Sequence, residues 1–176
     1  MSKQAKVLNE AEIKRVKAVI RDNRYATRNL TMFVLALNVG LRAKELASIK
    51  VGDVLTDEKK VRDMCVLNKE QVKHNEANRV FFNKAVRKQL SDYFAEHTYL
   101  KHNADANLFQ TKNLQAFTSQ TVVDLFLKIF KLADIKQASS HSMRRTFATK
   151  LAESAVSVFA IQKLMRHKNI STTVVQ

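Results

Sequence analysis

Ser140-His141-Ser142-Met143-Arg144-Arg145-Thr146-Phe147-Ala148-Thr149-Lys150-Leu151 is a polar start followed by an apolar stripe. His141 and Arg144 are three residues apart, so on a helix they share one face, one turn apart. Phe147, Ala148 and Leu151 continue the helical spacing, which predicts a helix running from near His141. An imidazole and a guanidinium would then stand at the positive end of that helix, where outward N–H groups favour an anion such as phosphate. By itself such a pair is more often a solvated helix face, and the rest of the chain has to decide.

The charge balance points the same way. The chain has 176 residues with 31 Lys+Arg against 16 Asp+Glu, a net charge of +15 and a pI near 10.1. That excess implies a polyanionic partner, nucleic acid first and an anionic membrane surface second. The length suits one domain, and 45% hydrophobic residues can fill its core. No run is long and apolar enough to span a membrane, and the N-terminus lacks a signal-peptide core. Cys65 is the single cysteine, which excludes a disulfide framework and a cysteine zinc site and fits a reducing, cytoplasmic setting. Two glycines and no proline favour helices over a strand-rich sandwich.

Upstream, a short polar lead precedes Asn9, and Asn9 with Glu12 predicts a capped helix carrying Ile13, Val16, Val19 and Ile20 inward. A second apolar helix with Met32, Phe33, Leu35, Ala36 and Val39 ends at Gly40, where a left-handed residue is wanted. Leu41-Arg42-Ala43-Lys44-Glu45-Leu46 follows, and Arg42 and Glu45 are one turn apart. They read either as a surface ion pair of little worth or as an arginine held for a ligand by its carboxylate. Val61 and Met64 to Leu67 predict a strand, His74 to Asn78 a turn, and Arg79 to Phe82 a returning strand, with Lys73 just before the turn. Lys84 to His97 reads as a helix, Thr98 to Asn107 as a loop and Leu108-Phe109 as a short extended piece. Helices follow over Ser119 to Ala133, with Val122, Val123, Phe126, Ile129 and Phe130 as the apolar face, and over Val156 to Met165. His167 lies at the end of the latter, and Ser171 is positioned to cap a last helix.

Arg42, Lys73, His141, Arg144 and His167 therefore form an anion-binding inventory from separated places. No acidic cluster accompanies them, which disfavours a two-metal nuclease, and no glycine-rich phosphate loop suggests nucleotide triphosphate use. Arginines of this kind stabilise charge on the non-bridging oxygens of a phosphodiester in transfer. Lysine or histidine handles protons at the attacking and leaving oxygens. A covalent version needs a Ser, Thr, Cys or Tyr nucleophile.

These motifs resemble those of the tyrosine recombinases, the phage integrase family. Leu41-Arg42 with Glu45, Leu46 and Asp53 looks like the first arginine box, His141-Ser142-Met143-Arg144 like the family's H-x-x-R, and Lys73 like its hairpin lysine. Ile161 to Thr173 is similar to the segment that leads to the nucleophile. The resemblance runs from about Leu8 to Gln176. It implies a mainly α fold with a small antiparallel β-hairpin (α+β), a single catalytic domain over residues 1–176, and no metal or other cofactor. It implies that Arg42 and Arg144 clamp the scissile phosphate, His167 bonds a non-bridging oxygen and His141 assists the nucleophile's proton transfer. Lys73 is implied as general acid for the leaving 5′ oxygen, with Glu45 supporting the site from behind. The implied partners are double-stranded DNA and three further subunits in a homotetramer on two sites, in a bacterial or phage-encoded, cytoplasmic protein.

Two departures qualify the match. Arg166 stands where the family usually has glycine. The family's tyrosine lies nine or ten residues after the second histidine, but position nine after His167 is Gln176, the last residue. Tyr25, Tyr93 and Tyr99 are in the wrong places. The expectation is a chain that stops just before its tyrosine and binds DNA without cutting it. The alternative is a natural relative that binds without cleaving. Most of the family carries an N-terminal core-binding domain, whereas the resemblance here starts almost at Met1; the expectation is that this domain was removed or that the chain is a short, single-domain recombinase. An unrelated basic helical DNA- or RNA-binding module stays open too, and it predicts that the five residues do not converge.

Overall fold

The computed structural model describes residues 4–68, 71, 78–154 and 156–165. Within them, helices dominate, in the order α1 (Glu10–Arg21), α2 (Ala26–Val39), α3 (Ala43–Ser48), α4 (Val51–Val54), α5 (Lys84–Glu96), α6 (Ser119–Leu132), α7 (Ser140–Glu153) and α8 (Val158–Met165). One antiparallel pair, β1 (Met64–Leu67) with β2 (Asn78–Phe81), lies between α4 and α5, with Met64 opposite Phe81 and Leu67 opposite Asn78. This is the mainly α, single-hairpin architecture expected from the sequence.

Local chemistry sets most helix ends. Asn9 Oδ1 accepts the Glu12 amide at 2.9 Å while Glu12 Oε2 accepts the Asn9 amide at 3.0 Å, a reciprocal cap that starts α1. Gly40 closes α2 with φ 66°, a left-handed conformation that glycine adopts without steric cost. Helix α2 is buried almost all round, from Arg28 to Val39, so it forms the axis against which α1, α5 and α7 pack. Helices α3, α6 and α7 extend the same core around Phe33, Phe126 and Phe130. Ala148, Ile161 and Met165 make a smaller second core with Phe147 and Leu151, which seats α8 on α7.

Some expectations are corrected by tertiary pairing. Val61 is not in β1; it makes an isolated bridge with Leu55, and the strand begins at Met64. Thr98–His102 winds into a 3-10 turn within the expected loop. Leu108-Phe109 forms no strand. Instead the loop lies along the chain after α3: Val51 N bonds Ala106 O at 3.0 Å, Gly52 N bonds Ala104 O at 2.8 Å and Leu108 N bonds Ile49 O at 2.9 Å. Val123 is only half-buried on α6, and α8 starts at Val158 rather than Val156. The polar lead is docked: Leu8 N donates to Thr146 Oγ1 at 2.8 Å, and Arg145 Nη1 donates to Ala5 O at 2.5 Å.

Candidate DNA-phosphate site

Four of the six expected site residues fall among the described residues: Arg42, Glu45, His141 and Arg144. Lys73 and His167 lie outside the described residues, as do Arg166, Ser171 and Gln176.

Arg42 is the residue before α3, so its own N–H is one of the amides that the helix leaves unpaired. Glu45 Oε2 accepts that N–H at 2.8 Å, and Glu45 Oε1 takes Arg42 Nη1 at 2.9 Å. The Glu45 carboxylate is fully buried, whereas the Arg42 side chain keeps 21% of its surface. The pair is therefore part-buried and not fully solvated. One buried carboxylate fixes the backbone and the guanidinium of the same arginine.

Helix α7 begins on a serine pair that the sequence reading did not single out. Ser139 Oγ accepts the His141 amide at 3.3 Å, and Ser142 Oγ accepts the Ser139 amide at 3.0 Å. Ser-x-x-Ser ahead of a periodic run is the signal that would have found it. This start leaves His141 exposed in the first turn. One turn on, Arg144 is 6% exposed, and its guanidinium reaches away from its own helix. Nη1 donates to the Gly40 carbonyl and Nη2 to the Met165 carbonyl. Gly40 is two residues before Arg42, and Met165 is two residues before His167. A single planar fork thus ties the end of α2, the start of α7 and the end of α8 into one junction.

Gln71 is a second residue that the sequence reading missed. It is 3% exposed, and its Nε2 donates both to Asp53 Oδ2 at 2.7 Å and to Ser48 O at 3.1 Å, while its Oε1 accepts the Asn68 amide at 2.8 Å. Asp53 Oδ2 also accepts the Lys50 amide at 2.8 Å. The residue two before Lys73 is thereby anchored to the end of α3, the helix that Arg42 opens. A lone glutamine in a polar stretch gives no sequence signal for such a role.

The three tyrosines stand elsewhere. Tyr93 is buried, and its hydroxyl donates to Leu108 O at 2.8 Å. Tyr25 precedes α2 at the end opposite Gly40, about 21 Å away along a helix of 14 residues. Tyr99 lies in the 3-10 turn after α5.

This helical arrangement around one hairpin is the catalytic-domain fold of the tyrosine recombinases. Residues 6–176 match the phage integrase family, and the chain belongs to it. It is 31% identical over 155 residues to tyrosine recombinase XerC of Caldanaerobacter subterraneus subsp. tengcongensis, covering 86% of this chain and 41% of the relative. Against tyrosine recombinase XerC of Vibrio cholerae serotype O1 it is 28% identical over 169 residues, covering 96% of this chain and 52% of the relative. The chain thus spans about half the length of these relatives. Among solved structures it is similar in fold to the XerA recombinase (TM-score 0.80, 21% identity, covering 99% of this chain and 61% of that one). The fold is also that of the Tn1549 transposon integrase in complex with transposon right end DNA (TM-score 0.76, 20% identity, covering 99% of this chain and 61% of that one).

Proposed function

We propose that this chain is the catalytic domain of a site-specific DNA recombinase or integrase that breaks and rejoins duplex DNA through a 3′-phosphotyrosine. Arg42 and Arg144 hold the scissile phosphate, His167 bonds a non-bridging oxygen, and His141 assists proton transfer from the nucleophile. Lys73 protonates the leaving 5′ oxygen. Glu45 aims Arg42 from behind. No metal takes part, and subunits carrying the tyrosine act as a homotetramer on two DNA sites.

The observation that carries this reading is the Arg144 junction. One guanidinium gathers the three segments that precede or carry Arg42, Arg144 and His167, as a shared phosphate would require. The buried Glu45 carboxylate adds to it, because it holds both the backbone and the guanidinium of Arg42 at the start of α3. The residues 1–176 alone bind DNA without cutting it: Tyr93 is buried on the Leu108 carbonyl, Tyr25 precedes α2 at the end opposite Gly40, and Tyr99 lies in the turn after α5.

The test uses the chain extended past Gln176 to include the tyrosine. Duplexes selected from a random pool by binding are nicked to make suicide substrates, and products are run on a denaturing gel. A protein–DNA adduct that disappears on Tyr→Phe is the expected result. Tight binding with no adduct on any selected site would favour the non-catalytic relative instead.

A further inference from the structure

Beside the strand end where Met64 faces Phe81 lies a cavity of about 500 Å³ with a markedly cationic wall. Lys59, Lys60, Lys84, Arg87, Lys88 and Lys101 all line it. Leu55, Val61 and Phe94 form its apolar floor.

Its place follows from the strand pairing. At the strand end where Met64 faces Phe81, Phe82 N bonds Asp63 O at 2.8 Å, and α5 begins two residues later at Lys84. Four paired residues span about 13 Å, so the cavity lies at the strand end opposite Leu67 and Asn78. Gln71, beyond Leu67, is tied to α3 and hence to the Arg42 side of the molecule.

Of the nearby acids, Asp63 pairs with Arg87 and Asp92 pairs with Lys88 at 2.6 Å, while Asp57 is exposed and the Glu58 carboxylate bonds Thr56, so the cations outnumber the acids. Lys59, Lys60, Lys84 and Lys101 have no acidic partner among the described residues. Like charges gathered this closely repel unless an anion joins them. Three separate chain segments contribute the lysines, which matches a string of monoanions better than one small ion. Lysine binds phosphate as a point charge, whereas a carboxylate is best held by an arginine fork, and the one arginine lining the cavity is already engaged with Asp63.

We infer that this cavity is a second DNA-contact site, which takes the sugar–phosphate backbone of a duplex segment independently of sequence and apart from the Arg42–Arg144 junction. It lets one subunit touch DNA at two faces, either along a bent duplex or on two duplexes. The inference does not rest on recombinase chemistry, because any duplex will serve as probe.

Lysine acetylation read by mass spectrometry tests it, with binding of a mixed-sequence duplex followed by fluorescence anisotropy. Acetylation of Lys60 and Lys84, both exposed in the structure, is expected to slow several-fold when duplex is bound. The protection should persist in Arg42→Lys, which keeps a cation beside the buried Glu45 carboxylate but removes the guanidinium. The Lys60→Glu/Lys84→Glu variant should melt like the parent and lower the slope of log K against log salt by roughly one to two. Unchanged acetylation with DNA bound would overturn the inference, as would loss of protection in an Arg42→Lys protein that melts like the parent. Protection by polyglutamate but not by duplex would overturn it in favour of an acidic polypeptide.

Discussion

Glu45 Oε2 accepts the backbone N–H of Arg42, and its Oε1 accepts Arg42 Nη1. Removing a partner from a buried ion pair leaves the other charge uncompensated, at a cost of about 3 kcal/mol or more. Here the arginine keeps a solvated edge, so the cost of Glu45→Ala falls toward about 2 kcal/mol. Glu45→Gln keeps an acceptor for the N–H and should lose less; urea unfolding of both variants measures the difference. Arg144→Lys is the sharper change. Lysine retains the charge but not the fork, so it cannot serve the Gly40 and Met165 carbonyls with the same geometry. A loss of about 1–3 kcal/mol in stability is expected, with DNA affinity falling further than the charge count suggests. Equal stability and affinity in Arg144→Lys would mean that the junction needs only a cation.

At the scale of elements, the contact between α2 and α7 depends on the absence of one carbon. A Cβ on Gly40 would stand 2.6 Å from Phe147 Cδ1, and the residue has φ +66°. Gly40→Ala should destabilise by about 1–3 kcal/mol through strain and overpacking together. Adding Phe147→Leu should restore the overpacking share but not the strain, and a double-mutant cycle reads the coupling. Between α5 and the loop that follows it, the buried Tyr93 hydroxyl is the clasp. Burial pushes the Tyr93 phenol above its ordinary value of 10.0. A group whose folded-state pKa is raised stabilises the fold below the unfolded value, and that stability is lost as pH climbs past it. Stability should therefore fall above about pH 10. Tyr93→Phe should cost about 1 kcal/mol at neutral pH and flatten that alkaline decline, as thermal melts across the pH range would record.

For the molecule as a whole, the net charge of +15 is the dominant long-range property. Duplex binding should weaken steeply with salt, with log K falling by about 0.9 per log unit of salt for each phosphate neutralised. Anisotropy titrations at several salt concentrations give the number directly. A shallow slope would mean that few of the basic residues meet DNA. No helix among the described residues is long and apolar enough to cross a membrane.

What the sequence determined by itself is local. Asn9 and Glu12 cap α1, Gly40 ends α2 and the stripe Val122, Phe126, Ile129 and Phe130 faces inward, because such signals act within one or two turns. The motif spacing carried the family and the candidate residues, since a shared chemistry restricts which residue types recur and in which order. Only the tertiary structure decided how those residues are held. Arg144 bonds a carbonyl 104 residues earlier, Gln71 bonds a carboxylate 18 residues earlier, and Leu8 bonds a threonine 138 residues later. Long-range partners of this kind leave no periodicity to read. They are selected by the packing of whole helices around α2, which brings backbone carbonyls to an arginine that, on spacing alone, reads as one more solvated charge.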